Sequence, residues 1–558
     1  MTTPDAPQGI EKLYQAGDEV IVQGTRPGCV YWVAEGRLET HVVDAEGNSK
    51  WLGEISQGEF FGEMAAITGK PASANVRAVS ACRLVCIAYD EFFALIEESP
   101  AWNRELLRSI SLRAQRMYRP PSKNKVLWLQ PLGEEVDERG FLSRLQQLIG
   151  SHGSNIVLDR SEVTDWDARV QHCREAFDFT LLIGDRHDIE WNSFCERESD
   201  KCILLGNGEK RPPLPTSPGI PQWGKPCELV LLHRSRRESP KGTAQWLDSA
   251  DISNHYHIAA DHAADWERLA RCLTGNAIGL VCSGGGARGA AHLGLVSALV
   301  EVGIPIDYLI GTSAGALMTV CHAMAMPRED YLGFLEEISR KSRRLTDYTF
   351  PFLSLLAGKT FNAIMERYAG DWAIEDLWLP FACVSSSLST GKVVAHRRGP
   401  LLPALKASTA IPGIFAPQEL EGEILVDGGL LNNAPTDIAK LFPAGKLILS
   451  DMSKWSPIHF KGKFPDTSSG WRLLFRYLNP FHSARFRPIL PAIILKSYEL
   501  SALHLQEEKL LNHPPDLTIR IPVHEFGTLD FHAVRRIWDL GYAMGLEQGA
   551  AWKARLSV

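Results

Sequence analysis

The sequence has no paired-cysteine motif. Its 11 cysteines are scattered along 558 residues without a CxxC, the nearest couple being Cys82 and Cys86. That excludes a zinc framework and a disulfide-dense scaffold, and reduced thiols are the expectation. No uninterrupted apolar run approaches the roughly 20 residues a helix needs to cross a bilayer. The N-terminus, MTTPDAPQGIEKLYQAGDEV, lacks the basic start and apolar core of a signal peptide. A cytoplasmic protein is expected, with any membrane contact peripheral and on the inner face. Positive charge is not in excess either: the net charge of −7 gives no support for nucleic-acid binding. Internal repeats and low-complexity tracts are missing too. What is present, 45% hydrophobic and 22% charged residues, is the composition of an ordinary globular protein. At roughly 100–200 residues per domain, the length suggests three or four domains.

Three segments differ in pattern. Residues 1–118 alternate short strands with glycine turns (YWVAEGRLETHVV, KWLGEISQGEFFGE, SANVRAVSACRLVCIA), as in a β-roll or barrel, and end in helical spacing over 89–118. Arg119-Pro120-Pro121-Ser122-Lys123 reads as a linker. From 125, the runs KVLWLQ, SNIVLD, FTLLIG, CILLGN and ELVLLH are short apolar strands separated by helix-length stretches, which predicts a parallel α/β layer. After a bridging stretch reaching about 270, a second α/β domain runs from about 275 to 558.

Three motifs in this last domain carry chemistry. In AIGLVCSGGGARGAAHLG a strand runs into Gly284, Gly285, Gly286 and Arg288, with a helix to follow. Such a loop offers bare N–H groups at a helix start, suited to negative charge. The charge is either a phosphate, since the letters satisfy GxGxxG with Asp307 near the ribose position, or the oxyanion of an ester. In IDYLIGTSAGALMTVCHAMA, Ser313 stands at a strand-to-helix turn between Gly311 and Gly315, the layout of a nucleophile elbow. In EILVDGGLLNNAP, Asp427 ends a strand, where the ligand crevice of an open α/β sheet lies.

This ordered trio resembles the patatin-like phospholipases, which use a Ser-Asp dyad and no catalytic histidine. The resemblance implies Ser313 as nucleophile, Asp427 as base, Gly284, Gly285, Gly286 and Arg288 as the oxyanion loop, and neither cofactor nor metal. Beyond the motifs, LVLLHRSRRESPKGTAQWLD, YTFPFLSLLAGKTFN and RIPVHEFGTLDFHAVRRIWDLGYAMG resemble the neuropathy target esterase branch of that family. Its members hydrolyse lysophospholipids and carry cyclic-nucleotide-binding-like domains upstream, as residues 1–118 suggest. A cyclic-nucleotide pocket would fall on Gly62, Glu63 and Ser73. The stretch Pro71-Ala72-Ser73-Ala74, however, has Ala72 where that family clamps phosphate with arginine. A fold-only or regulatory role is therefore expected of the domain.

The expected function is hydrolysis of the carboxylic ester of a lysophospholipid or related glycerophospholipid. Two other classes stay open from the sequence: a dinucleotide-linked oxidoreductase, which leaves GTSAG and DGG unexplained, and a non-catalytic lipid-binding or signalling scaffold. The basic-aromatic stretch 471–496 is a candidate lipid-interface segment. His255, His257 and His262 lack carboxylates or thiols in ligand spacing and are read as structural.

Overall fold

The computed structural model describes residues 9–43, 49–55, 57–99, 124–133, 136–162, 165–185, 187–212, 227–237, 239–350, 352–453 and 490–557, with Pro7, Trp102, Asn103 and Leu106. The linker 119–123 and most of the basic-aromatic stretch 471–496 lie outside the described residues. Those up to Leu106 form one compact unit and those from Asn124 onward form another.

The first unit holds eight strands: β1 (Ile10–Tyr14), β2 (Glu19–Ile21), β3 (Cys29–Glu35), β4 (Leu38–Val43), β5 (Ser49–Ile55), β6 (Phe60–Phe61), β7 (Asn75–Ala78) and β8 (Cys82–Ala88). They make two antiparallel sheets, β1-β8-β3-β6 and β2-β7-β4-β5. Inward side chains of both, among them Val33, Leu38, Ile55, Phe61 and Leu84, are fully buried in one core. Helix Tyr89–Glu98 closes a second cluster through Phe92, against Val30, Phe60 and Ile87. It ends at Glu98, well short of 118, and the residues after Leu106 that carried the rest of the helical spacing lie outside the described set.

The second unit starts with six parallel strands: β9 (Lys125–Pro131), β10 (Asn155–Leu158), β11 (Phe179–Ile183), β12 (Lys201–Asn207), β13 (Cys227–His233) and β14 (Ile252–Ala259). Their order is β10-β11-β9-β12-β13-β14. Near-continuous apolar runs suit strands covered on both faces. Asp137, Asp165 and Asp188 each cap a helix of this layer by accepting a hydrogen bond from the third residue on. The stretch read as a bridge is itself part of the sheet: ISNHYHIA forms β14, whose polar first half masks its strand character.

Eight more strands build the C-terminal sheet: β15 (Ala277–Cys282), β16 (Tyr308–Thr312), β17 (Phe381–Ser387), β18 (Val393–His396), β19 (Gln418–Leu420), β20 (Glu423–Asp427), β21 (Gly445–Asp451) and β22 (Leu517–Arg520). The order is β19-β20-β17-β16-β15-β21-β22, with β18 against β17. The two sheets of this unit share a core, in which Leu127, Ile203 and Val230 join Val281, Ile310 and Val384.

One detail of the register places the site. β16 pairs parallel with β17 up to Thr312 opposite Val384, and β20 pairs antiparallel with β17 from Leu425 to Asp427 opposite Ser385. β18 pairs with Cys383–Ser386 and so occupies the other edge. β16 and β20 therefore run toward each other along one edge of β17 and meet head to head. The carboxyl-end rule for parallel strands does not account for Asp427, because β20 is antiparallel; the stagger along β17 does.

Candidate active site

The last residue of β16 is Thr312, and Ser313 follows in a backbone conformation with φ 54° and ψ −125°. Positive φ strains any residue with a side chain, and such strain gathers at functional positions. The neighbours make the turn possible. A Cβ on Gly311 would lie 2.4 Å from Ala316 N, and one on Gly315 would lie 2.3 Å from Cys282 O. The helix Ala314–Ala323 starts directly after Ser313. Thr312 Oγ1 donates to Asn432 O at 2.8 Å, and Ser313 N–H donates to Ser408 Oγ at 2.9 Å, fastening the elbow from both sides.

Ser313 Oγ donates to Asp427 Oδ2 at 2.6 Å, and both residues are buried. The second carboxylate oxygen accepts from Gly429 N–H at 2.8 Å and from Tyr498 Oη–H at 2.7 Å. Burial pushes the Asp427 carboxyl up from the usual carboxylate range to about 6, against the hydrogen bonds from Ser313, Gly429 and Tyr498, which favour the anion. Gly429 also makes room: a Cβ there would sit 2.0 Å from the Tyr498 hydroxyl oxygen. Tyr498 belongs to helix Leu490–Asn512, 71 residues beyond Asp427. It is absent from the sequence reading. The bare glycines of DGG signal a close neighbour but not which residue fills the space.

The glycine loop lies alongside, a Cβ on Gly284 falling 3.3 Å from Ser313 Cβ. Gly284 N–H is engaged by Asn433 O at 3.2 Å, and Ala287 N–H by Thr528 O at 2.8 Å. Among the described residues, Gly285 and Gly286 donate their N–H groups to no protein acceptor. Arg288 turns back on the loop: its Nε donates to Gly285 O at 3.1 Å, and Nη2 lies 3.7 Å from Glu499 Oε1. Beneath the loop, buried His292 bridges Ser283 O (2.9 Å) and Ser450 Oγ (2.8 Å), and burial lowers its pKa to about 4, so the ring is neutral. This histidine serves the loop and not Ser313, and among the described residues no histidine lines the cavity at Ser313. That cavity is about 40 Å³ and is bordered by Gly285, Ile411, Leu495, Tyr498 and Leu503, among others.

Other sequence-predicted residues fall elsewhere. Asp307 accepts from Ile278 N–H at 2.8 Å and pairs with Arg271, at the start of β15 and not at its glycine end. It stands four strand residues from Cys282, on the order of 13 Å, so a ribose bound at the loop is out of its reach. His255 and His257 both meet Glu375 O at 2.9 Å, and His262 lies 3.6 Å from Asp265. No three His, Cys, Asp or Glu side chains are grouped to hold a metal among the described residues. In the N-terminal unit, Gly62 has φ 80° and starts helix Glu63–Thr68, Glu63 is buried and Ser73 exposed. Ala72 N–H donates to Thr25 O, and Arg77, five residues further along, pairs with Glu39 at 2.6 Å.

The site thus consists of an elbow serine bonded to a buried aspartate beside a glycine loop. The patatin-like phospholipase family model matches residues 280–440, and the cyclic nucleotide-binding domain model matches 11–99. The chain carries these two domains in that arrangement. It is similar to patatin-like phospholipase domain-containing protein 6 of Homo sapiens, 26% identical over 96% of this chain and 44% of that one. It is likewise similar to neuropathy target esterase sws of Drosophila melanogaster (27%; 95% of this chain, 42% of that one) and lysophospholipase nte1 of Neosartorya fischeri (26%; 95% and 41%). The chain spans less than half the length of these relatives.

Proposed function

We propose that this protein is a serine esterase that cleaves the carboxylic ester of lysophospholipids or related glycerophospholipids. The observation that carries the reading is the 2.6 Å hydrogen bond from Ser313 to Asp427 at a strained elbow, with no histidine among the described residues that line the cavity. A serine alcohol needs a base beside it, and Asp427, its pKa raised to about 6, is a better base than an exposed aspartate while remaining ionised at neutral pH. Ser313 Oγ attacks the ester carbonyl as Asp427 takes its proton, and the unengaged N–H groups of Gly285 and Gly286 receive the oxyanion. Collapse expels the glyceryl alcohol, which takes up the proton held by Asp427. Water, activated by the same carboxylate, then frees the fatty acid and restores Ser313. Arg288 and His292 hold the loop in shape. The lipid assignment draws on the matched family and on the relative named a lysophospholipase.

Leu495, Tyr498 and Leu503 of helix Leu490–Asn512 wall one side of the cavity at Ser313, so a substrate bound there packs against that helix. The N-terminal domain is read as a regulatory or structural module, since Ala72 supplies no guanidinium and Arg77 is engaged by Glu39. Incubation with lysophosphatidylcholine tests the activity: equal amounts of fatty acid and glycerophosphocholine are expected, and absence of both contradicts the reading.

The pH profile gives a second check. As Asp427 must be ionised to act, kcat/KM rises with pH on an acid limb near 6. Tyr498 donates to the ionised form, so Y498F should move that limb up by about one unit, the worth of a hydrogen bond to a charged group. A limb unmoved in Y498F would remove Tyr498 from its role as a positioning residue.

A further inference from the structure

The loop 347–357 carries a surface feature that ester cleavage at Ser313 does not use. Its backbone is braced: Tyr348 bridges Leu356, Thr349 N–H donates to Leu355 O (3.0 Å), and Ala357 N–H donates to Asp347 O (2.9 Å). Leu355 and Leu356 N–H donate to Gly413 O and Ile414 O at 3.0 and 2.9 Å. On this fixed frame the apolar side chains face solvent: Tyr348 is 74% exposed, Phe350 79%, Phe352 87% and Leu353 75%. A single exposed apolar residue is ordinary, but four within six positions on a hydrogen-bonded loop form a patch.

Two further observations say what covers it. Immediately upstream, Arg340, Arg343 and Arg344 are exposed and form no ion pair among the described residues, whereas their neighbour Lys341 is tied to Glu337. The tip is thus preceded by unneutralised positive charge. At its root, Leu355 and Leu356 pack with Ile411, Ile414, Phe415 and Leu495, and Ile411 and Leu495 also line the cavity at Ser313. Apolar surface therefore runs from the exposed tip to the nucleophile.

We infer that this loop is a lipid-docking surface. Tyr348, Phe350, Phe352 and Leu353 enter the boundary between headgroups and acyl chains, and Arg340, Arg343 and Arg344 meet anionic headgroups. The continuity with Ile411 and Leu495 then gives an acyl chain a dry route from the lipid surface to the ester-cleaving site, so this purpose rests on the esterase reading while the docking itself does not. Helix Leu490–Asn512 adds exposed Ile493 and Leu500, seven residues apart on one helical face, and its Ile494 would lie 3.4 Å from a Cβ on Gly413, next to the loop's root.

The test is co-sedimentation of the full chain with phosphatidylcholine vesicles, with and without phosphatidylglycerol. It compares wild type with F350S/F352S/L353S and with R343E/R344E, and assays a water-soluble short-chain ester in parallel. None of the five substituted residues lines the cavity at Ser313. The apolar triple variant should lose vesicle binding by roughly ten-fold or more, and the charge variant should lose only the increment that phosphatidylglycerol adds. Hydrolysis of the soluble ester should be unchanged in both. Vesicle binding by the triple variant equal to wild type overturns the inference. So does a wild-type dimer that the triple variant converts to monomer with vesicle binding intact, which would make the patch a self-association face. A wild type that binds vesicles through the loop yet cleaves no ester refutes the esterase reading and leaves the docking surface standing.

Discussion

Replacing Ser313 with alanine is expected to abolish ester hydrolysis, by about 10⁶-fold in kcat if loss of the nucleophile costs what it costs in other serine hydrolases. The fold should survive. The substitution removes one hydroxyl from an elbow that is held by Thr312, Ser408 and the helix Ala314–Ala323, none of which depends on the Ser313 side chain. Fatty-acid release from lysophosphatidylcholine, measured beside a thermal unfolding curve, separates the outcomes. Full turnover in S313A would mean that the bond to Asp427 has no part in catalysis.

The second large effect concerns Asp427, where activity and stability should move in opposite directions. D427N removes the base, and turnover should fall by about 10⁴-fold or more. The amide can keep the local hydrogen bonds, its oxygen accepting from Gly429 and Tyr498 and its nitrogen donating to Ser313 Oγ. An acid whose pKa is raised to about 6 in the fold binds its proton more tightly folded than unfolded. Its contribution to stability is complete below the unfolded value, about 3.9, and is lost as pH rises through about 6. At pH 7 the ionised carboxylate therefore costs the native state on the order of 2–3 kcal/mol, and D427N relieves that cost. The expected result at pH 7 is an inactive variant that unfolds a few degrees higher than wild type, with the gain fading toward pH 4. A variant less stable than wild type at pH 7 would argue that Asp427 is held for structure.

Much of this was legible because local chemistry dictated it. Five of the six strand runs of the middle layer are apolar almost throughout, as strands covered on both faces tend to be, and these five stand where the sequence places them. The sixth, β14, carries Ser253, Asn254 and His255 in its first half at the sheet edge, and that polarity hid it. The elbow was readable from Gly311, Ser313 and Gly315, since the turn tolerates no larger flanks. What no local pattern contains is contact across long separations. The head-to-head meeting of β16 and β20 depends on a register with β17, and Tyr498 reaches Asp427 from a helix far along the chain. The glycine loop was recognised as a loop, but its division of labour was not. Gly284 spends its N–H on Asn433 and Arg288 points back at Gly285, while the N–H groups of Gly285 and Gly286 stay unengaged. Asp307 shows the opposite failure, a motif match in letters whose side chain serves the far end of its strand.

The most direct measurement is reaction of the intact protein with a fluorophosphonate, followed by peptide mass spectrometry. One adduct is expected, on Ser313, absent in S313A and slowed on an acid limb near pH 6 as Asp427 gains its proton. Absence of labelling at neutral pH, or labelling that persists at another serine when Ser313 is gone, would contradict it.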